Sequence, residues 1–244
     1  MRRQRPATLQ LVLVDNAGIG QGRSVLGTGA GARIASLAER VDVLDSQGNV
    51  GYGQGHNLAL AIALAPYHLI LNPDVELAHD ALSTALAFLD AHPEAGLLAP
   101  YVANRAGQQE FLCRRYPTLL DLAARGFLPR RGGRLFDKRL SRYEMRSEMS
   151  EGRPVWDAPI VSGCFMLFRS SVLKRLNGFD PRYFLYFEDY DLSLRTGRIA
   201  RIVYVPAVRI VHFGGGAADK GFQHIRLFAA SAWRFFGTHG RRLW

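Results

Sequence analysis

Three acidic side chains lie within four consecutive residues of the C-terminal half of the chain. Glu188, Asp189 and Asp191 are bracketed by aromatic and apolar residues. Apolar surroundings and a second carboxylate nearby both raise the pKa of a carboxyl group toward the range that a general base requires. This segment is therefore a candidate catalytic site. The alternative is an acidic first turn of a helix, in which the first two carboxylates complement the helix dipole and Asp191 pairs with Arg195.

A second acidic site follows the short apolar run Tyr67–Leu71, which predicts a strand. The run leads directly into Asn72, Pro73 and Asp74. Proline favours an extended turn here, which allows the Asn72 and Asp74 side chains to face one crevice. Oxygen ligands from such a turn, shared with a diphosphate and water, suit a hard divalent cation such as Mg²⁺ or Mn²⁺. A simple strand-to-helix turn explains the same residues equally well.

A glycine-rich stretch, Asn49–Asn57, opens a predicted helix. It carries glycine at the alternate positions Gly51, Gly53 and Gly55. Such glycines let the backbone approach a bound group closely, and the N-terminus of the following helix favours an anion. The spacing does not match the dinucleotide-binding fingerprint, and a plain flexible turn is the alternative.

The elements that position these sites begin with a buried strand. The continuous apolar run Leu9–Val14 ends at Asp15 and Asn16, and open α/β sheets bind their ligands at such strand ends. A predicted helix over Ala32–Arg40 and a second strand over Val41–Leu44 follow. The order strand, helix, strand predicts an α/β fold.

The rest of the chain continues this pattern, except for an irregular, base-rich segment. Long irregular segments inside compact domains are often lids or binding loops. A histidine at a strand end, as at His212, is more often structural than a ligand. The further predictions are a helix over Asp80–His92, a strand over Leu97–Val102, the irregular segment 103–153 with a helix at Leu119–Arg125 and mobility at Pro129–Arg134, a strand over Ile160–Phe168, a helix over Leu173–Leu176, and strands over Ile202–Pro206 and Val208–Val211.

Composition limits the class of protein. A chain of 244 residues with 48% hydrophobic residues supports one domain with a sizeable core. The two cysteines, Cys113 and Cys164, lack metal-ligand spacing, which indicates a reduced, cytoplasmic protein. The longest apolar run, Leu58–Leu71, is interrupted by Pro66 and is too short to span a bilayer. The N-terminus leads into a strand rather than the core of a signal peptide.

The chain is strongly basic, with a formal net charge of +10. Between Arg195 and Trp244 nine bases stand against the single acid Asp219. A phosphorylated substrate, an anionic lipid and a nucleic acid all fit such a field, and a solvated surface that aids solubility is the alternative. Nucleic acid ranks last, because the sequence carries no recognisable motif for it.

The basic C-terminal segment 222–244 predicts an amphipathic helix. Apolar residues share one helical face with arginines around it, which suits an interfacial helix on anionic lipid. The alternative is a helix that packs on its own domain. The residues of this face are Ile225, Phe228, Ala229, Ala232, Phe235 and Phe236.

The motifs, taken in order, resemble those of the family 2 glycosyltransferases, and more narrowly the rhamnosyltransferase-like branch of bacterial cell-surface polysaccharide synthesis. The resemblance covers roughly residues 9–240. It implies a GT-A fold, in which a mostly parallel nucleotide-sugar-binding sheet is flanked by helices. The matching segments are Val14–Ala17, Asn49–Asn57, Leu71–Asp74, Val161–Met166, Gly178–Asp180, Tyr186–Leu192 and Val211–His212.

This resemblance implies a division of labour within one domain. Residues 1–102 would form the nucleotide-sugar-binding half, residues 103–221 the acceptor-binding and catalytic half, and 222–244 the basic helix. Relatives begin with a further strand and helix, which contribute to the nucleobase pocket. Only fourteen residues precede Asp15, so a GT-A fold without its first βα unit is expected. A fragment, a misplaced start and a noncatalytic relative are the alternatives.

The resemblance also implies individual roles. Asp74 would be the principal metal ligand, with Asn72 beside it, and His212 completes the metal site in some relatives. Asp189, next to Glu188, matches the general base that takes the proton from the acceptor hydroxyl. The donor would contact Asp15, Asn16, Asn49, Gly51, Gly53, Asn57 and Asn72, and the acceptor would contact Gly163 and Asp191.

The expected function is metal-dependent transfer of a sugar, with inversion, from a nucleotide-sugar donor to a hydroxyl of a surface glycan or lipid-linked saccharide. Rhamnose from dTDP-rhamnose is the donor that the branch implies. The expected location is the cytoplasm, peripheral to the inner face of the plasma membrane. The alternatives are a nucleotidyltransferase that makes a sugar nucleotide, and a noncatalytic protein that binds nucleotide sugars or glycans.

Overall fold

The structure is a computed structural model, which describes residues 8–16, 24, 26–27, 29–122, 133–150, 152–214 and 221–240. The strands are β1 Gln10–Val14, β2 Arg40–Leu44, β3 Tyr67–Leu71, β4 Val75–Leu77, β5 Ala95–Ala103, β6 Gln109–Glu110, β7 Cys113–Arg114, β8 Val155–Trp156, β9 Ile160–Val161, β10 Phe165–Arg169 and β11 Arg201–His212. The helices are α1 Gly29–Leu37, α2 Tyr52–Ile62, α3 Ala81–Ala91, α4 Gly133–Tyr143, α5 Arg146–Met149, α6 Ser170–Arg175, α7 Glu188–Thr196 and α8 Phe222–His239.

A seven-stranded sheet forms the centre of the molecule, in the order β3-β10-β5-β11-β4, with β6 paired to β5 and β8 to β11. β5 and β11 pair in parallel, whereas β10 lies antiparallel between β3 and β5. The sheet is therefore mixed rather than mostly parallel, because the chain enters β10 from the opposite end. β1 and β2 form a separate parallel pair, and β7 and β9 a short antiparallel one.

Both faces of the central sheet are buried, which fits the continuous apolar strands of the sequence. Alternate residues of one strand enter different core clusters: Leu97 faces α6 and α5, and Leu98 faces α3. The same alternation separates Met166 from Leu167 in β10. A third cluster, rich in aromatic rings, lies between α7 and α8.

The predicted strand over Ile160–Phe168 is two strands. Ser162, Gly163 and Cys164 interrupt it, and β9 and β10 pair with different partners. The Asn72 amide donates to the Cys164 carbonyl at 3.0 Å, in register with the β3–β10 pairing, and the Ser162 amide donates to the Leu112 carbonyl at 3.0 Å, in register with the β7–β9 pairing. Gly163 lies between the two ladders, and its amide donates to Asp189 instead.

The two strands predicted near the C-terminus are one strand, β11. It pairs in parallel with β5 on both sides of Pro206, with a register shift between Val205 and Arg209. Proline cannot donate to a ladder, so it is tolerated at such an irregularity. The strand therefore continues to His212.

The segment 103–153 is more regular than the sequence indicates, since it contains β6, β7, α4 and α5. Residues 119–122 are helical, and the rest of the helix predicted to Arg125 lies outside the described residues. The mobile stretch predicted at Pro129–Arg134 also lies mostly outside them, and α4 begins at Gly133.

Helix α8 packs on the domain through much of the face that the sequence assigned to lipid. Phe235 and Phe236 are buried, and Phe228 and Ala232 pack against the same aromatic cluster. The cluster includes Phe187, directly before α7. The domain-packing alternative is thus correct for these residues. No helix in the described part of the chain is long and apolar enough to cross a membrane.

Candidate active site

Helix α7 begins after two consecutive residues with left-handed backbone. Tyr186 has φ of 70° and Phe187 has φ of 64°. Each such non-glycine residue costs about 1–3 kcal/mol, so the surrounding packing must hold the turn. The Phe187 ring lies 5.3 Å from the Tyr190 ring and 5.2 Å from the Phe235 ring, measured between centroids. The aromatic cluster therefore fixes the turn that presents the acidic residues.

Both carboxylate oxygens of Asp189 accept backbone hydrogen bonds. Oδ2 accepts from the Gly163 amide at 2.9 Å, and Oδ1 accepts from the Tyr190 amide at 2.9 Å. The side chain is half-buried. These two hydrogen bonds orient the carboxylate, and an ionised carboxylate accepts hydrogen bonds and protons.

Tyr52 connects the two candidate sites, and sequence reasoning missed it. Its hydroxyl donates to the Gly163 carbonyl at 2.6 Å and lies 3.0 Å from Oδ1 of Asn72. Burial, and next the charge of Asp189, raise the pKa of Tyr52 well above its usual value, so the hydroxyl stays protonated. The only available signal was an aromatic residue inside a glycine-rich loop.

Glu188 occupies a different environment from its neighbour Asp189. It is 6% exposed, and its Oε2 is buried without a hydrogen-bond partner in the described part of the chain. Burial and the adjacent charge of Asp189 raise the pKa of Glu188 to about 8. The pKa rise predicted for the acidic segment thus falls on Glu188, which is mostly protonated at neutral pH. Asp189, oriented by the Gly163 amide, is the candidate base that the geometry supports.

Replacing Glu188 with Gln should remove a pH-dependent loss of stability. The folded-state pKa lies above the ordinary value of 4.5, so ionisation opposes folding increasingly between about pH 4.5 and pH 8. A pKa difference of one between the folded and unfolded states corresponds to about 1.4 kcal/mol, so the effect reaches at most a few kcal/mol. We expect E188Q to match the wild type near pH 5 and to melt higher near pH 9. Melting curves that stay parallel across this range would contradict the assignment.

Asp74 and His212 meet because of strand register. β4 pairs antiparallel with the end of β11, which places His212 opposite Val75. The His212 Nε2 lies 3.4 Å from Asp74 Oδ2, and its Nδ1 lies 3.3 Å from Glu110 Oε2. Oδ1 of Asp74 is buried and has no hydrogen-bond partner in the described part of the chain. Sequence reasoning missed Glu110, which lies in the segment predicted to be irregular.

These residues fit part of a cation site. The described residues contain no group of three or more His, Cys, Asp or Glu side chains that could hold a metal ion alone. An unpaired carboxylate oxygen at Asp74 and a ring nitrogen at His212 nevertheless suit a divalent ion whose other ligands are phosphate oxygens and water. An ion held by these two side chains would need further ligands from outside the described part of the chain.

The polar residues after β1 contact the start of α2. Asn16 Nδ2 donates to the Gly51 carbonyl at 2.9 Å, while its Oδ1 is buried without a partner among the described residues. Asp15 is buried, and its backbone bonds to Leu44 and Gln47. These contacts place the end of β1 beside the glycine loop.

The glycine loop is packed against the chain that leads to α7. Gly51 has φ of 86°, and a Cβ there would overlap the Phe184 carbonyl. A Cβ at Gly53 would lie 2.8 Å from the Phe179 Cβ. Both amide atoms of Asn57 bond to the Phe179 backbone at 2.8 Å. The alternate glycines thus allow close packing of protein on protein, and the Asn57 side chain is already engaged. Asn49 Oδ1 accepts from the Gly51 amide at 3.1 Å.

Asp191 does not face the site. It is 1% exposed, and its oxygens accept from Arg195 Nε at 2.7 Å and contact His239 Nε2 at 2.8 Å. The acceptor role expected for Asp191 therefore does not fit the structure. The helix pairing with Arg195, which was the alternative, is confirmed.

The chain has the GT-A fold of glycosyltransferases. The chain superposes on the mannosyltransferase PcManGT from Pyrobaculum calidifontis, solved in complex with GDP-Man and Mn²⁺, with a TM-score of 0.56. The match covers 89% of this chain and 50% of that chain, at 20% sequence identity. The expected GT-A fold is confirmed.

The Glycosyl transferase family 2 model matches residues 28–176, so the chain belongs to this family. It is 30% identical over 177 residues to rhamnosyltransferase WbbL of Escherichia coli strain K12, covering 69% of this chain. It is 29% identical over 220 residues to the N-acetylglucosaminyl-diphospho-decaprenol L-rhamnosyltransferase of Mycobacterium tuberculosis, covering 84% of this chain. The chain spans 62% of the first relative's length and 69% of the second's. The resemblance read from the ordered motifs is confirmed.

Proposed function

We propose that this chain is an inverting glycosyltransferase that moves a sugar from a nucleotide-sugar donor to a hydroxyl group. The observation that carries the proposal is the orientation of the Asp189 carboxylate by the Gly163 and Tyr190 amides. The hydroxyl of Tyr52 links Gly163 to Asn72, two residues before Asp74. One network therefore joins a candidate base to a candidate diphosphate site.

The proposed reaction is a single displacement. The acceptor oxygen bonds to the anomeric carbon as the bond to the diphosphate oxygen breaks, and the hydroxyl proton passes to Asp189. A positioned carboxylate base contributes about 10²- to 10⁴-fold to such a step. The protonated Tyr52 and the backbone of Gly163 hold the base in place, which favours a near-attack geometry.

We assign the metal-binding role to Asp74 and His212, with Mg²⁺ or Mn²⁺ as the ion. When bound, the cation supplies stabilisation of the negative charge on the leaving diphosphate. The partnerless Oδ1 of Asp74 supports this assignment. The Mn²⁺ in the solved mannosyltransferase of the same fold is consistent with it.

We assign the donor site to the ends of β1 and β3 and to the glycine loop between them. Asp15, Asn16, Asn49 and Asn72 are the polar candidates, and Asn16 retains a buried, unpaired oxygen. Gly51, Gly53 and Asn57 support this site by packing. The names of the relatives favour rhamnose as the sugar, and dTDP-rhamnose is the donor that the family resemblance implies.

The acceptor that we propose is a lipid-linked saccharide. One relative is named for an acceptor of the N-acetylglucosaminyl-diphospho-decaprenol type. Such an acceptor would be presented at the inner face of the plasma membrane, with the chain in peripheral contact. We assign Gly163, beside Asp189, to the acceptor pocket. We also propose that the chain acts as one domain.

Calorimetric titration with dTDP and with UDP, each with and without Mn²⁺, tests the proposal. We expect nucleotide binding to require Mn²⁺, since the Asp74 and His212 site needs phosphate oxygens to complete it. We expect dTDP to bind more tightly than UDP if dTDP-rhamnose is the donor. With sugar donor and acceptor, the product should be a nucleoside diphosphate. Release of pyrophosphate from a nucleoside triphosphate would instead indicate a nucleotidyltransferase. A folded chain that binds no nucleotide would contradict the proposal.

A further inference from the structure

Helix α8 leaves part of its apolar surface exposed, beside the residues that pack on the domain. Phe222, Ile225 and Trp233 on this face are 81%, 50% and 71% exposed. At about 100° per residue, these side chains and Ala229 project within a sector of about 80°. Arg226 is exposed at the edge of this sector. We call these five residues the outer face of α8.

The charge of helix α8 itself is one-sided. The helix contains two arginines, Arg226 and Arg234, and no acidic residue. An exposed apolar stripe with a tryptophan and basic neighbours matches the boundary between lipid headgroups and acyl chains. Basic residues near such a surface are attracted to anionic headgroups, each by about 1 kcal/mol.

We propose that the outer face of α8 docks on an anionic lipid bilayer. This inference rests on the proposed function and its lipid-linked acceptor, and it adds the surface of the chain that contacts the membrane. Ile225 and Ala229 belong to the face that the sequence assigned to lipid, whereas Phe235 and Phe236 of that face are buried on the domain.

The inner face of α8 connects this surface to the candidate base. Ser231 Oγ donates to the Leu185 carbonyl at 2.8 Å, and the Tyr186 hydroxyl lies 3.0 Å from His224 Nδ1. Both contacts hold the segment directly before α7. Because a helix is about 10 Å across, lipid on the outer face lies about one to two helix diameters from the element that carries Asp189. That distance suits a saccharide attached to a membrane-embedded diphospholipid.

Co-sedimentation with vesicles tests this surface directly. We expect the wild-type chain to sediment with vesicles of phosphatidylcholine and phosphatidylglycerol but not with phosphatidylcholine alone. About 1 M NaCl should weaken this binding, because the screening length falls to about 3 Å. The triple variant F222S/I225S/W233S should bind these vesicles at least about tenfold more weakly, since it loses its apolar contact with lipid.

A matched control and an independent readout make the outcome clear. The variant L37S/L64S removes two leucines that are 74% and 77% exposed elsewhere, and it should sediment like the wild type. Nucleotide binding should be equal in all three proteins. Its absence from all three, the wild type included, would count against the proposed function and not against the lipid surface. A wild type that ignores anionic vesicles, or binds neutral ones equally, would overturn the inference. The inference would also be overturned if the triple variant bound vesicles as well as the wild type does, or if its only change were dissociation of a dimer.

Discussion

Replacing Asp189 with Asn should abolish sugar transfer while nucleotide binding stays within about twofold of the wild type. We expect the turnover number to fall about 10²- to 10⁴-fold, because an amide cannot take the acceptor proton. The substitution also changes orientation. Both Asp189 oxygens accept backbone hydrogen bonds, from Gly163 and Tyr190, and an asparagine can accept only one of them. A stability loss of about 1 kcal/mol should accompany the loss of turnover.

Steady-state turnover, nucleotide calorimetry and thermal melting on one preparation separate these effects. Asp157→Asn is the matched control, because Asp157 makes its ion pair with Arg201 at the surface and lies outside the site. It should leave turnover unchanged. An Asp189 variant that turns over at the wild-type rate would show that another group accepts the proton.

Replacing Asp74 with Ala should abolish the Mn²⁺ dependence of nucleotide binding. The partnerless Oδ1 of Asp74 is the oxygen available to an ion, and His212 alone offers one ring nitrogen. We expect Mn²⁺ to strengthen nucleotide binding at least about tenfold in the wild type and not measurably in the variant, because removal of one ligand from so sparse a site leaves little affinity. Calorimetry with and without Mn²⁺ measures this difference without requiring turnover.

Asp80→Ala is the control for that experiment. Asp80 is an exposed residue before α3, and its side chain makes no capping hydrogen bond. It should retain the Mn²⁺ effect in full. If Asp74→Ala also retains the effect, the ion is held elsewhere, and the pairing of Asp74 with His212 is structural.

The acidic segment shows what a local pattern determines. The sequence indicated a catalytic site with a raised pKa and, as the alternative, a helix start with Asp191 paired to Arg195, since both depend on neighbouring residues. It did not determine which carboxylate faces the site. That choice depends on how α7 is rotated about its axis. In the structure Glu188 and Asp191 are buried, with Asp191 against His239 of α8, and Asp189 is half-buried.

The glycine loop and α8 were less predictable for the same reason. Alternate glycines indicate a close approach to the backbone, but the approaching groups are Phe184 and Phe179, more than a hundred residues away in the chain. In α8 the sequence offers apolar residues on both sides. Only contact with the domain decides which side is buried, and this side contains Phe235 and Phe236.

The sequence by itself determined most helices and strands and the two acidic motifs through short-range periodicity and residue order, and it indicated the family and the GT-A fold through the resemblance of its ordered motifs. The tertiary structure decided how the motifs meet. The register of β4 against β11 sets His212 beside Asp74, and the break before β10 lets Gly163 reach both Asp189 and Tyr52. Such contacts join residues far apart in the chain, and their geometry follows from packing and strand pairing, which no local pattern encodes.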